Sequence, residues 1–473
     1  MNNFENSYAK LPENFYSITP PTPVVDPKLL EWNSTLAEEL GLKFDSLAEK
    51  ESIFSGNLPL NGTPIAQKYA GHQFGQFNPD LGDGRAHLLT EVISPKGERY
   101  DITLKGSGRT PFSRGGDGRA WLGPVLREYI VSEAMYSLGI PTTRALAIVS
   151  SGEPVYREAK MPGAIITRIA KSHIRVGTFQ WFSATSDFKN LQILLDYSIK
   201  RHYPDAKSTA DFLRAVCLSQ AELVAEWMRV GFIHGVMNTD NCLISGETID
   251  YGPCAFMDHY DPKTVFSSID KFGRYAFSNQ PPITKWNLAR FAECLIPLID
   301  KDEDTAIKLA TDLIDNFQNI YEDKWLNMMR DKLGLFGEDK NDKKLINDLF
   351  NWMEKNKADY TNTFCHLMGI DTKNKLFQNT SFLNWKLEWR KRSKIKVKDK
   401  EKKFKLMRQN NPTVIPRNHK VEEAIKEAEK GNLKYIKQLL QILKNPYENQ
   451  NNILEYQKSN PFPDIKYQTF CGT

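Results

Sequence analysis

The chain has 473 residues, of which 40% are hydrophobic, 11% aromatic and 26% charged, enough apolar material to bury a large core in two or three domains or lobes. Its 63 basic and 58 acidic residues leave a formal charge of +5, too slight an excess to argue for a nucleic-acid partner. No apolar run approaches membrane-spanning length, no C-x-x-C pair stands among the six cysteines, and MNNFENSYAKLPENFYS shows no basic start followed by an apolar stretch and carries acids, so a cytoplasmic protein without membrane, zinc or dense disulfides is expected.

Residues 1–60 are rich in proline and polar residues, with ITPPTPVVDP followed by a predicted helix through LLEWNSTLAEELGL, and they read as an N-terminal arm packed on the rest of the chain. From 61 to 182 the signals are strands and turns. GDGRAHLLTEV gives a turn and then a strand. RYDITLKGSG alternates Tyr100, Ile102 and Leu104 with Asp101, Thr103 and Lys105, which predicts a strand with Lys105 on the face opposite Leu104. GPVLREYIVSEAMYSLGIP predicts a helix with Pro124 near its start and Gly139 and Pro141 at its end, and Glu128 lies beside its apolar stripe. From 183 to 473 the pattern is helical, first NLQILLDYSIKRHY, then TADFLRAVCLSQAELVAEWMRVG and WNLARFAECLIPLID. The lysine-rich run at 385–405 is interrupted by Glu388, Asp399 and Glu401 and reads as solvated helix faces. Strands first and helices later predict an α+β protein in two lobes.

The polar segments carry the chemistry. LGDGR places Gly82 and Gly84 where backbone N–H groups could approach phosphates, with Arg85 beside them, although Gly-Asp-Gly is also an ordinary hairpin turn. Lys105 on the next strand and Glu128 on the following helix could form a fixed cation for phosphates; each alone would pass for a solvated charge. FIHGVMNTDNCLISGETIDYGP then crowds His234, Asn238, Asp240 and Asn241 into a short loop, with Asp250 where a second strand should end. Asn241 and Asp250 offer an amide and a carboxylate oxygen, a donor set suited to Mg²⁺ or Mn²⁺, whereas His234 has no second histidine or cysteine at ligand spacing and reads as structural.

These parts come in the chain order of a protein kinase. Kinases read H-R-D-x-x-x-x-N, and His234 and Asn241 keep that seven-residue separation, but Val236 stands where the kinase aspartate would be and an aspartate appears instead at Asp240. Valine cannot accept a proton, which argues against ordinary γ-phosphoryl transfer.

With YAGHQFGQFNPDLGDGRAHLL, LKGSGRTPFSRGGDGRAWLGPVLREYIVSEAMYSLGIPTTRALA, ITRIAKSHIRVGTFQWF and a closing Cys-Gly-Thr, the chain resembles the selenoprotein O family of kinase-like protein adenylyltransferases. The resemblance implies a two-lobed kinase-like fold and transfer of AMP from ATP to Ser, Thr or Tyr hydroxyls of proteins; UMP transfer with Mn²⁺ is also ascribed to the family. It further implies that Gly82, Gly84, Arg85, Asp117, Gly118, Arg168 and Arg175 contact the nucleotide, and that Lys105, supported by Glu128, binds phosphate. Asp240 would accept the proton, and Asn241 and Asp250 would hold the metal. A monomer is expected. In some members the near-terminal cysteine pairs with one in the segment after Asp-Tyr-Gly. Here that segment holds only Cys254, directly behind the motif, so no redox switch through Cys471 is expected. Two other readings stay open: a phosphotransferase using Asp240 as base, and an inactive nucleotide-binding pseudokinase.

Overall fold

The computed structural model describes residues 2–370, 374–394, 400–450, 453–460, 467 and 469. Among these the chain forms a nine-stranded antiparallel sheet and many helices. The sheet runs in the order Tyr16–Ile18, Ile65–Gln67, Ala86–Ile93, Arg99–Lys105, Lys160–Ala170, Arg144–Tyr156, Lys28–Trp32, with Phe4–Glu5 and Ala120–Trp121 attached beside it.

Alternation decides the strand Arg99–Lys105. Ile102 and Leu104 are fully buried in an apolar cluster, and Asp101, Thr103 and Lys105 take the other face, as the pattern predicted. Ladders on both sides hold the backbone: Lys105 stands opposite Ala86 on one neighbour and Ile166 on the other. The predicted helix forms as Leu122–Ser137, with Gly139 beyond its end at φ +76°. It packs on the sheet through Ile148 and Ile166, and the late helices Asn418–Glu429 and Lys434–Leu443 cover its outer side.

Two expectations are corrected. The helix read through LLEWNSTLAEELGL shortens to Ser34–Glu39, because Lys28–Trp32 pairs with Arg144–Tyr156 and Asn33 caps the helix by accepting the Leu36 N–H at 3.1 Å. The strand predicted to end at Asp250 does not form: Leu243 and Thr248 make single bridges to different partners, Arg175 and Thr142. The arm is also woven in more closely than a cover, since it supplies strands to the sheet.

Beyond the sheet the chain is mostly helical. Thr209–Val230 is capped by Ser208, which accepts the Asp211 N–H at 3.1 Å, and stops at Gly231 with φ +73°. The short pair Phe232–Ile233 and Ala255–Phe256 then brackets the polar loop, so a buried frame fixes both ends of the segment that carries Asp240 and Asp250. Helices Thr380–Ser393 and Lys400–Asn410 carry much of the lysine-rich run, whose residues 395–399 lie outside the described ones. No described helix is long and apolar enough to cross a membrane. Cys254 is buried, and Cys471 lies outside the described residues.

Candidate active site

A cleft of about 450 Å³ is lined on one side by residues of the sheet and its loops and on the other by residues of the 236–250 loop. At its floor Lys105 Nζ donates to Glu128 Oε2 and to Asp250 Oδ1, both at 2.7 Å. Arg168 joins them: its Nε donates to Glu128 Oε1 at 2.8 Å, and its Nη2 lies 3.8 Å from Asp250 Oδ1. Strand register explains the meeting, because Arg168 sits opposite Thr103 and so shares a sheet face with Thr103 and Lys105. Burial alone would raise the Asp250 carboxyl, but Lys105 and Arg168 outweigh it and hold the group well below the usual carboxylate range. Arg85 adds to that field. Asp250 itself sits at φ +65°, a left-handed turn that aims its side chain back towards the lysine. Glu128 is likewise lowered by Arg168 and Lys105 against its burial.

Asp240 occupies the short turn Thr239–Asn241. Its Oδ1 is buried without a hydrogen-bond partner among the described residues, and its Oδ2 accepts only a long bond from Gln73 Nε2, at 3.4 Å. Burial pushes this carboxyl up to about 6 in spite of Arg175. Arg175 is turned mostly to the protein. Its Nη1 donates to the Asp240 carbonyl at 2.9 Å, its Nη2 lies 3.4 Å from Asp83 Oδ1, and its guanidinium stacks 4.3 Å from the Tyr69 ring centroid.

The glycine loops are packed too tightly for side chains. A Cβ on Gly82, at φ +74°, would fall within 2.4 Å of the Phe112 ring, and one on Gly84 within 2.8 Å of the Phe112 carbonyl. A Cβ on Gly118, at φ +69°, would meet the Gly108 backbone at 2.1 Å. Beside it, Asp117 is gripped by Arg157 at 2.8 and 2.9 Å, and these bonds lower its carboxyl.

Of the residues singled out in the sequence, Gly82, Gly84, Arg85, Lys105, Asp117, Gly118, Arg168, Arg175, Asp240, Asn241 and Asp250 all line this one cleft. Glu128 does not; it stands behind Lys105 and positions it. Arg85, Lys105, Arg114, Arg119, Arg157, Arg168 and Arg175 line the cleft with Asp83, Asp117, Asp240 and Asp250, and although Glu128 pairs with Lys105 and Arg168 and Glu153 with Arg119 from outside it, the cleft stays positive overall, which suits a polyphosphate. The donor chemistry also fits a hard divalent cation. Asn241 Nδ2 donates to the Val236 carbonyl at 3.1 Å, so its Oδ1 is the atom it could offer a cation, and the Asp250 carboxylate lines the same cleft. No group of three or more His, Cys, Asp or Glu ligands gathers among the described residues, and Mg²⁺ commonly completes its shell with waters and substrate phosphates. His234 is buried with Nε2 2.8 Å from the Ile249 carbonyl, a structural contact.

Sequence reasoning gave no role to the hairpin Gly71–Gln73 and Gln76–Asn78, which grips the polar loop. The His72 N–H donates to Thr239 Oγ1 at 2.6 Å, Thr239 donates to Gln180 Oε1 at 2.6 Å, and Phe74 N–H donates to Asn238 Oδ1 at 3.1 Å. Gly71 is needed there, since a Cβ would lie 2.9 Å from Asp240 Oδ1. Asp83 was missed as well, and the signal was its place between Gly82 and Gly84.

Residues 1–444 match the family model described as "Protein adenylyltransferase SelO". A "Protein nucleotidyltransferase YdiU" of Pelagibacter ubique (strain HTCC1062) is 57% identical over 478 residues, covering 99% of each chain. Proteins of the same name from Anoxybacillus flavithermus (strain DSM 21510 / WK1) and Bacillus thuringiensis (strain Al Hakam) are 54% and 53% identical over 100% of this chain and 99% and 98% of theirs.

Proposed function

This chain belongs to the SelO family of protein adenylyltransferases and is a nucleotidyltransferase, and on that premise we propose that it transfers AMP from ATP to Ser, Thr or Tyr hydroxyls of proteins. The observation that carries this reading is the pairing, within one cleft, of a fixed Lys105–Asp250 cation–anion pair with a buried carboxylate, Asp240, whose Oδ1 has no partner among the described residues. In the reaction the acceptor oxygen attacks the α-phosphorus, the bond to the pyrophosphate oxygen breaks, and the hydroxyl proton passes to Asp240. In this reading Lys105 and Arg168 are the fixed cations for the negative charge that develops on the phosphates, and their bonds to Glu128, which hold them in place, support that role. Asn241 and Asp250 would hold Mg²⁺ or Mn²⁺, which supplies charge neutralisation to the phosphates when bound. UTP with manganese is the variant substrate of the same site.

In this reading residues 61–182 form a nucleotide-binding small lobe and 183–473 a helical large lobe of a kinase-like fold, with the arm of 1–60 woven onto the first. The sheet that bears Lys105 and Arg168, and the mostly helical remainder that bears Asp240 and Asp250, support that division. A cytoplasmic monomer fits the same reading. Mass spectrometry of lysate proteins incubated with the enzyme, ATP and Mg²⁺ tests it: AMP on Ser, Thr or Tyr is expected, and phosphate alone on those residues would refute it.

A further inference from the structure

Beside the cleft lies a cationic, partly apolar patch. Arg274 and Arg290 lie over the indole of Trp286 at 4.8 and 5.2 Å, and the same ring meets His72 edge-on at 5.2 Å. His72 in turn packs on Phe77, which is 42% exposed. The Nε atoms of both arginines are buried without a hydrogen-bond partner among the described residues. Arg274 has no carboxylate partner among them either, while Arg290 pairs with the half-exposed Glu293. Asp270, the other nearby acid, is occupied by the backbone N–H groups of Arg274 and Tyr275, at 2.9 and 2.8 Å, which fixes the turn that presents Arg274.

The patch is continuous with the cleft. Tyr275, next to Arg274, donates its hydroxyl to Asn238 Oδ1 at 2.7 Å, and Asn238 lines the cleft two residues before Asp240. Gln73, next to His72, reaches Asp240 itself. Ile269, 59% exposed, lines the cleft from the segment that leads to Arg274. The patch therefore adjoins the cleft on the side of Asn238, Gln73 and Ile269, where it can meet a polypeptide whose hydroxyl sits at Asp240.

We propose that Arg274, Trp286 and Arg290 form a docking surface for the acceptor polypeptide and select acceptors that carry an Asp or Glu close to the modified hydroxyl. This rests on the protein-adenylylation reading above and deepens it. The guanidiniums of Arg274 and Arg290 bind a carboxylate through charge and their outward Nη donors, with Glu293 as the group it displaces from Arg290, while Trp286 beneath them holds both in place. The exposed Ile269 and Phe77 offer contact to the apolar side chains around it.

The test uses full-length enzyme with Mg²⁺ and α-³²P-ATP on peptide sets with a single Ser, Thr or Tyr acceptor and with Asp, Asn or Lys at each nearby position in turn. At one position or more the Asp peptide should be labelled with about tenfold higher kcat/KM than its Asn counterpart, chiefly through KM. Arg274→Glu with Arg290→Glu should turn the preference towards Lys peptides, and binding of a fluorescent ATP analogue, measured in parallel, should be unchanged. Equal labelling of Asp, Asn and Lys peptides, or a preference that survives the double substitution, would overturn the inference alone. Label on no peptide and no lysate protein, with ATP still bound, would overturn the transferase reading and the inference with it.

Discussion

The Lys105 ammonium stands 2.7 Å from the Asp250 carboxylate, although 145 residues separate them. That contact ties the sheet to the loop after Asp240 and keeps Asp250 ionised against its burial. Lys105→Met should leave Glu128 with Arg168, and Asp250 with Arg168 and the weaker field of Arg85, and remove a fixed charge from the cleft. The expected loss is about 10²–10³ in kcat/KM, with weaker ATP binding. Steady-state kinetics on any labelled acceptor measure it, and near-wild-type values would contradict the role.

Asp240→Asn keeps the size of the side chain and removes its ability to take a proton. Turnover should fall by about 10²–10⁴ while ATP affinity is retained. Equal losses in ATP binding and in turnover would mean instead that Asp240 holds the loop together.

A pH effect is expected away from the cleft. Glu247 is buried, accepts bonds from the Lys171 N–H and the Ser245 hydroxyl, and is pushed by burial from 4.5 up to about 7. The folded chain thus binds this proton more tightly than the unfolded chain. That contribution to stability is fully present below about pH 4.5 and is lost as pH rises to about 7. Glu247→Gln, which needs no proton, should gain on the wild type by up to on the order of 3 kcal/mol over that interval. Thermal midpoints at pH 5 and pH 8 test this: the variant's advantage should grow with pH, and a constant difference would contradict it.

Gly118 is in the left-handed region and touches the Gly108 backbone. Gly118→Ala should displace the loop that Asp117 and Arg157 hold and weaken ATP binding by about ten- to a hundredfold, through strain of a few kcal/mol. Titration with a fluorescent ATP analogue is the check.

Much of this was legible in the chain itself. Period-two alternation located the strand of Lys105, and an apolar stripe bounded by Pro124 and Gly139 located the helix of Glu128, because both elements answer to local rules. What stayed hidden depends on distant partners. Residues 29–32 look helical by themselves and join the strand Lys28–Trp32 only because Arg144–Tyr156 offers a ladder. The bond from His72 to Thr239 joins residues 167 apart in the chain, so no spacing rule reveals it. Arg168 and Arg175 could be told from surface arginines only by family resemblance, and their different settings, one on Glu128 and one on Asp83, are tertiary facts.

The central claim is that the α-phosphate end of ATP is what leaves with the acceptor, and paired labelling tests it most directly. Purified enzyme, a cell lysate and Mg²⁺ or Mn²⁺ are incubated with α-³²P-ATP or γ-³²P-ATP, with Asp250→Ala and chelation by EDTA as controls. The account predicts protein label from α-³²P-ATP alone, abolished by the substitution and by EDTA and restored after chelation by excess cation. Label from γ-³²P-ATP instead would contradict it and make Asp240 the base of an ordinary phosphotransferase.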